Sequence, residues 1–366
     1  MNRRTLAPIV LMALALPATG CDALKGLLSE IDGDLETRTF SVESSDGLAT
    51  IEVDVAGQES FLLTATSGSL LAVESIHDPD GNRVLYWEDW YGSESLTGAV
   101  WLEGQSSVLN WPIRKSDGNL SEGTWTVEVG VVDNQGYYTD DTVNADLRLK
   151  TDGDLDAGTV SVRIVYAEGL DTDEEVTNGV TQAVERWVEV WAPYGLELEV
   201  EYLSSDFSLN QPSPGEGNEH SDVAGGSDGQ QVTILVSETI DGSVDYYGIA
   251  GGIPGTLGRT DSALIIVSWL ANAGGDGAFS AADVQLFGET LAHETGHYMG
   301  LFHPVEMTYD YWDALSDTED CGSQNACESA LRENLMFPYP VCDWTECVAQ
   351  DDMTTQQVGV KQRYTG

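Results

Sequence analysis

Residues 280–303 read SAADVQLFGETLAHETGHYMGLFH and contain three of the five histidines of the chain. Ser280 suits a helix N-cap, and Asp283 three residues later makes a near capping box, which predicts that a helix begins here. His293 and His297 are four residues apart, so their rings project from the same face of that helix. The spacing therefore predicts that the two imidazoles lie side by side.

The helix is expected to run to Met299, because Gly300 can adopt the left-handed conformation that ends helices. The chain can then turn sharply and bring His303 towards the other two imidazoles. Glu294 is offset by one position from His293 and remains free to approach a water molecule. The full pattern, HExxHxxGxxH, predicts three nitrogen ligands beside one carboxylate, and an amphipathic helix with incidental histidines is the alternative.

Three imidazole nitrogens are ligands typical of zinc. Three protein ligands leave one tetrahedral position open, which is the arrangement of catalytic rather than structural zinc sites. We therefore expect one catalytic Zn²⁺ ion at His293, His297 and His303, with Glu294 as the general base.

The extended motif resembles the signature of the metzincin zinc peptidases, and residues 291–347 are most similar to the pappalysin family within that clan. The likeness rests on residues 300–303, on residues 317–321, on the Asn-Leu-Met sequence at 334–336 and on the cysteines around them. The resemblance implies a zinc-dependent endopeptidase that hydrolyses peptide bonds of extracellular protein or peptide substrates. It also implies that the substrate binds extended along an edge strand, for which residues 263–267 are the expected place.

Two further residues take candidate roles from the same resemblance. Met336 is the candidate for the methionine-containing turn beneath the zinc, and an ordinary core methionine is the alternative. Tyr339 is the candidate for assisting the oxyanion, and an ordinary packing role is its alternative.

Two other functions compete with a peptidase. One is a surface-anchored binding or adhesion lipoprotein with a vestigial zinc fold, and the other is a zinc hydrolase that acts on a different bond. Glu294 disfavours the first, because a decayed peptidase would be free to lose its base. The sequence does not indicate an oligomeric state.

Four cysteines lie within the last fifty residues, at Cys321, Cys327, Cys342 and Cys347. An even, clustered set in an exported protein predicts two disulfides. A four-cysteine zinc site is the alternative, but the spacings lack the paired CxxC pattern that such sites favour. Spacing alone leaves three connectivities open, and the resemblance to pappalysins implies that Cys321 pairs with Cys342 and Cys327 with Cys347.

The beginning of the chain resembles an export signal. Residues 1–20 combine Arg3 and Arg4 with an apolar stretch that is too short to span a bilayer. The Ala-Thr-Gly-Cys sequence at residues 18–21 resembles a bacterial lipobox, which implies that Cys21 is lipidated, and an ordinary cleaved signal peptide is the alternative. Both predict an exported protein, in the cell envelope or outside the cell. Membrane contact is expected only through the lipid anchor, if Cys21 is lipidated.

The chain carries 15 Lys and Arg residues against 62 Asp and Glu residues, a formal net charge of −47. A field of this sign repels nucleic acid and anionic lipid. It therefore argues against both as direct partners.

A group of carboxylates lies just before Cys321 in the sequence. Hard oxygen ligands in a loop suit Ca²⁺, and pappalysin-like enzymes often bind it. A solvated acidic loop in a generally acidic chain is the alternative. The candidate calcium ligands are Asp310, Asp313, Asp317, Glu319 and Asp320.

Composition and periodicity divide the exported chain into two domains. Residues 21–37 look like an acidic tether, and residues 38–150 alternate apolar and polar positions between turn signals, which predicts an all-β sandwich. Residues 151–158 suit a polar linker. Residues 159–366 alternate strand and helix patterns. They predict an α/β (α+β) metzincin-like catalytic domain with a mixed sheet and an active-site helix.

Overall fold

The fold is described from a computed structural model of the chain. The predicted signal peptide and Cys21 lie outside the described residues. The structure describes residues 28–32, 35–87, 96–151, 153, 155, 157–213, 218–224, 231–256, 264–275, 277–342 and 347–363.

The described residues from 28 to 150 form ten strands in two antiparallel sheets. The strand orders are β1-β2-β10-β4-β8-β7 in the first sheet and β3-β9-β5-β6 in the second. The strands are β1 (Leu28–Asp32), β2 (Leu35–Glu43), β3 (Leu48–Val55), β4 (Ser60–Thr66), β5 (Leu70–His77), β6 (Arg83–Tyr86), β7 (Trp101–Glu103), β8 (Ser106–Trp111), β9 (Gly123–Val132) and β10 (Thr142–Lys150).

The period of two in the sequence sets which side chains of these strands are buried. Ile51 of β3 lies opposite Val127 of β9, and both are fully buried, whereas alternate residues of β3 are exposed. These side chains share one apolar cluster with Phe61 and Leu63 of the other sheet. Removing such side chains from water is the main stabilising contribution of the two sheets. The predicted strand alternation is confirmed, and the division into domains stays a prediction.

Part of the stretch predicted as a tether forms strands in the structure. Residues 28–32 form β1, and Leu35 begins β2, so the strands start inside the range 21–37. Strand β2 pairs along its whole length with β10, from Leu35 opposite Lys150 to Glu43 opposite Thr142. Backbone pairing to a neighbouring strand outweighs the acidic composition that suggested a tether.

The rest of the chain is a mixed α/β structure. Its five-stranded sheet has the order β12-β11-β13-β15-β14, in which all neighbours are parallel except β14, which is antiparallel to β15. The elements are β11 (Gly158–Tyr166), α1 (Glu174–Trp191), β12 (Leu196–Ser204), α2 (Asn218–Ala224), β13 (Val232–Ser237), β14 (Gly248–Ala250), β15 (Leu264–Ser268), α3 (Trp269–Asn272), α4 (Ala281–Tyr298), α5 (Gln324–Leu331) and α6 (Thr355–Gln362).

Helix α4 begins as the sequence predicts. The Ser280 hydroxyl accepts a hydrogen bond from the Asp283 backbone, and the Asp283 carboxylate accepts one from the Ser280 backbone. Further along, α4 packs closely on α1, because a β-carbon at Gly288 would lie 2.7 Å from the Ala183 carbonyl oxygen. The cap and this close crossing fix where the last two turns of α4 lie.

The edge strand of this sheet is not the one that the sequence predicts. Residues 264–268 form β15, which lies between β13 and β14 and has no free edge. The edge on this side of the sheet is β14, at Gly248–Ala250, and β12 forms the opposite edge. Three residues in a glycine-rich segment are too few to show the alternation that identifies a strand.

Two disulfides form, as predicted, but their pairing differs from the prediction. Cys321 pairs with Cys327 and Cys342 with Cys347. The first turn of α5 returns Cys327 to within 5.1 Å of Cys321, measured between Cα atoms. In the second pair the Cα atoms are 3.8 Å apart. Both bridges therefore close short local loops, and the expected Cys321–Cys342 and Cys327–Cys347 pairs are wrong.

The strands before residue 150 pack against the α/β part. One apolar cluster contains residues of all three sheets. The Ser60 hydroxyl donates to the Arg363 carbonyl at 2.8 Å, and the Arg114 guanidinium donates to the Leu315 carbonyl at 3.0 Å. Within the described residues, no helix combines the length and apolar character needed to cross a membrane.

Candidate metal centre

Helix α4 ends in a way that turns the chain back towards its own last residues. The Gly300 backbone donates to the His297 carbonyl, the Leu301 backbone donates to the Gly296 carbonyl, and both distances are 2.9 Å. This is the Schellman arrangement, which needs a positive φ at the residue after the cap, and Gly300 has φ of 97°. The predicted helix end at Gly300 is confirmed, and His303 follows directly on the returning chain.

The three motif histidines come together. The Nε2 atom of His303 lies 3.3 Å from that of His293 and 3.0 Å from that of His297. One ring nitrogen from each residue lies within 4.8 Å of the others. Among the described residues, these histidines are the one group of three or more His, Cys, Asp or Glu side chains gathered closely enough to hold a metal ion.

The opposite ring nitrogen of each histidine has a partner of its own. His293 Nδ1 lies 2.7 Å from the Leu335 carbonyl, and His297 Nδ1 lies 2.7 Å from the Leu301 carbonyl. His303 Nδ1 lies 3.3 Å from Glu306 Oε2. Because these oxygens are acceptors, each Nδ1 carries the proton and each Nε2 presents a lone pair. Three lone pairs that converge on one another suit a cation.

Burial keeps two of these imidazoles neutral. Loss of water, together with the nearby His303, lowers the pKa of His293 to about 3. The same loss of water, with the neighbouring histidines, also lowers the pKa of His297. Neutral imidazole is the form that binds a metal ion, so both residues are ready to act as ligands near neutral pH.

Glu294 follows His293 in the chain, and its side chain lies against the edge strand β14. Its side chain is buried, and a β-carbon at Gly248 would lie 2.6 Å from its Cγ atom. Burial raises the pKa of Glu294 to about 8, and a backbone hydrogen bond at Ala250 opposes that rise. Burial therefore favours the protonated form of this carboxyl group.

Met336 packs directly against α4. A β-carbon at Gly296 would lie 2.7 Å from Met336 Sδ, and Met336 is fully buried. The Asn334 side chain accepts a hydrogen bond from the Met336 backbone at 2.9 Å. Leu335, between them, supplies the carbonyl that holds His293. The turn at residues 334–336 therefore packs against α4 at Gly296 and orients the imidazole of His293.

Tyr339 belongs to a different cluster. Its hydroxyl donates to Glu328 Oε1 at 2.9 Å and hydrogen-bonds with the Tyr309 hydroxyl, while its ring packs on Phe337. Tyr309, Phe337 and Tyr339 belong to the apolar cluster that contains Cys321 and Cys327. These contacts suit a packing role, and oxyanion assistance by Tyr339 stays a prediction.

The five candidate calcium ligands are not gathered as a group. Asp313 and Asp317 are buried near one another, whereas Asp310, Glu319 and Asp320 are exposed. Burial and the charge of Asp313 raise the pKa of Asp317 to about 8. Calcium binding at these residues stays a prediction.

Several contacts of the site were not predicted from the sequence. The carbonyls of Leu301 and Leu335 are backbone groups, so no side-chain pattern marks them. Gly248 lies in a strand too short to recognise. Glu306, three residues after His303, could have been noticed as a carboxylate close to a ligand.

No protein-family model matches the sequence, and no curated protein matches it. Among solved structures, the chain is similar to archaemetzincin of Methanopyrus kandleri, at 14% identity over 56% of this chain and 86% of that one, with a TM-score of 0.30. It is also similar to metalloproteinase-II of Bacteroides fragilis, at 11% identity over 91% of this chain and 79% of that one, with a TM-score of 0.35. What the structure itself defines is a mixed α/β protein with a three-histidine group able to hold a metal ion.

Proposed function

We propose that this protein is a zinc-dependent endopeptidase of the metzincin type. The observation that carries the proposal is the convergence of the Nε2 atoms of His293, His297 and His303, with the buried Glu294 next to His293 in the chain. Histidine nitrogens are preferred zinc ligands, and three of them leave an open coordination position. The single metal we assign to the site is therefore Zn²⁺, held by His293, His297 and His303.

The donor set fits zinc in its protonation state as well as its geometry. Hydrogen bonds at Nδ1 of all three rings leave Nε2 free as the ligand atom. A zinc ion bound there supplies a Lewis acid that polarises a carbonyl group and lowers the pKa of water.

Glu294 moves the proton in the proposed reaction. Its carboxylate accepts a proton from the attacking water and later donates it to the leaving amine. Burial raises the pKa of Glu294 to about 8, and a neighbouring cation would lower it again towards the pH of the reaction. The residue can then act first as a base and afterwards as an acid.

Strand β14 is where we place the substrate. It ends the sheet and lies against Glu294, through Gly248. An extended peptide can pair with the outer edge of such a strand through main-chain hydrogen bonds. Pairing there would bring a peptide bond next to the carboxyl group.

The remaining features complete the proposal. We assign Met336 to the turn beneath the metal and place the enzyme closest to the pappalysins on the motifs quoted above. Residues 1–20 are proposed to export the chain, with Cys21 as a lipid anchor, and residues 38–150 to form an accessory β-sandwich. The substrates are then proteins or peptides outside the cytoplasm.

The test compares the full chain with its Glu294→Gln variant. Zinc content and cleavage of casein or gelatin are measured for both, with Glu122→Gln as a control that changes an exposed carboxylate. We expect Glu294→Gln to keep one zinc ion and lose at least about 10²-fold in cleavage rate, while the control retains both.

The results also separate the alternatives. A wild-type chain that binds zinc but cleaves nothing, as inactive as Glu294→Gln, favours a binding protein with a vestigial zinc fold. A folded wild-type chain that takes up no zinc contradicts the proposal outright.

A further inference from the structure

The third histidine is held differently from the other two. His297 is buried and His293 is partly buried, and backbone carbonyls hold the Nδ1 atoms of both. His303 lies on the loop after the helix, with 24% of its side chain exposed, and its Nδ1 partner is the Glu306 carboxylate. Of the three rings, His303 is the one whose orientation depends on another side chain.

A short, tied loop presents Glu306 to His303. The Glu306 backbone donates to the Tyr311 carbonyl at 3.0 Å, and the Tyr309 backbone donates to the Glu306 carbonyl at 2.8 Å. Val305 and Trp312 form a β-bridge at the base of this loop. The turn at its tip places Tyr309 at a φ of 59°. The backbone of Glu306 is therefore fixed on both sides.

The loop is also attached to the cluster around the first disulfide. The Trp312 indole donates to the Cys321 carbonyl at 3.2 Å, and Tyr309 reaches Tyr339 through its hydroxyl. Val305 and Trp312 pack with Cys321 and Cys327 in one apolar cluster. This attachment holds the loop, and with it the Glu306 carboxylate, at a set distance from His303.

We infer that Glu306 is a positioning residue that orients the third zinc ligand. By accepting a hydrogen bond from Nδ1–H, the carboxylate keeps His303 in the tautomer with a free lone pair on Nε2. It also holds the ring so that Nε2 faces the other two histidines. A negative partner also increases the electron density at Nε2 and so strengthens it as a ligand. The inference rests on the proposed function, because it assumes that these histidines hold zinc.

The inference is specific to a side chain that the HExxHxxGxxH pattern does not include. Loss of such an outer partner costs about 10- to 100-fold in metal affinity in well-studied sites. Glu306 is half exposed, with 52% of its side chain in contact with solvent, so replacing it should leave the fold intact. The expected effect is therefore on the metal and not on folding.

The experiment measures zinc affinity of the full chain by competition with a chromophoric chelator. The variants are Glu306→Ala, Glu306→Gln and Glu306→Asp, and Thr308→Ala is the control, because it changes an exposed side chain of the same loop. We expect affinity to fall by about 10- to 100-fold in Glu306→Ala. Glu306→Gln should fall less, because its amide oxygen still accepts a hydrogen bond, and the control should equal the wild type.

A second readout reports on the ligand geometry. Cobalt-substituted wild type and Thr308→Ala should share one visible absorption spectrum, and Glu306→Ala should show a different one. Thermal unfolding of the metal-free proteins should be the same for all variants.

Each failure has its own signature. Equal zinc affinity and equal cobalt spectra in Glu306→Ala and wild type overturn the role of Glu306 and leave the proposed function standing. A wild-type chain without zinc uptake overturns both. Zinc binding that weakens in Glu306→Ala, in a chain that cleaves no peptide, supports the positioning role and contradicts the peptidase.

Discussion

Gly248 offers the sharpest test of how the edge strand and the proposed base fit together. A β-carbon at this position would lie 2.6 Å from Glu294 Cγ, and 3.0 Å from both Cδ and Oε1 of that residue. The nearest of these atoms is Cγ, which lies two bonds from Cα, so rotation of the carboxyl end alone does not relieve the clash. The substitution Gly248→Ala therefore displaces the whole carboxyl group.

The size of the effect follows from these distances. Ordinary contacts of a β-carbon begin near 3.4 Å, so the Glu294 side chain must move by roughly one ångström. Misplacement of a catalytic group by this amount costs about 10²-fold in rate. Insertion of a methyl group into a packed site also lowers the free energy of unfolding, by about 1–3 kcal/mol.

The assay is kcat/KM for peptide cleavage, measured together with zinc content. Gly248→Ala should keep its zinc, because the three atoms nearest the new methyl group all belong to Glu294 and none to the histidines. It should lose about 10²-fold in kcat/KM. Gly322→Ala is the control, since a β-carbon there meets nothing within 4 Å. A zinc-loaded Gly248→Ala variant with wild-type kcat/KM would refute the proposed placement of Glu294 against β14.

Two further predictions concern stability. Met336→Ala leaves a cavity under α4 where Met336 Sδ now contacts Gly296, so the free energy of unfolding should fall by about 2–5 kcal/mol in denaturant titrations; an unchanged value would contradict the packing described above. Asp317→Asn tests the buried pair of Asp313 and Asp317. The pKa of Asp317 in the folded protein is about 8, above the ordinary 3.8, so folding favours the protonated acid. The stability that this provides is present below about pH 4 and is lost as the pH rises towards 8. The melting temperature of Asp317→Asn should therefore fall less than that of wild type between pH 5 and pH 8, with Glu122→Gln, at an exposed carboxylate, as control. The same change in melting temperature with pH in all three proteins would refute the burial assigned to Asp317. If added calcium raises the melting temperature of the wild type at pH 8 but not that of Asp317→Asn, the calcium prediction is supported.

The histidine helix could be predicted because every signal for it is local. Ser280 and Asp283 cap the helix within one turn, the spacing of His293 and His297 fixes their common face, and Gly300 ends the helix. The strands with strict alternation, such as β3, were predictable for the same reason. In each case the period of the backbone relates neighbours in sequence to neighbours in space.

Other features depend on residues far apart in the chain. The Leu335 carbonyl reaches His293 across 42 positions. Gly248 meets Glu294 only because β14 pairs with β15 at the edge of the sheet. The disulfide pairing was predicted wrongly, because spacing leaves three connectivities open and the first turn of α5 brings Cys327 back to Cys321.

From the sequence alone came the identity of the three histidines, the neighbouring carboxylate and the helix that carries them, because helix geometry converts a spacing of four residues into a shared face. Only the tertiary structure decided what surrounds them: the acceptor of each Nδ1 proton, the edge strand against Glu294 and the burial that shifts the pKa values of His293 and Glu294. These depend on packing between distant segments, since loss of water and long-range hydrogen bonds exist only once the chain has folded.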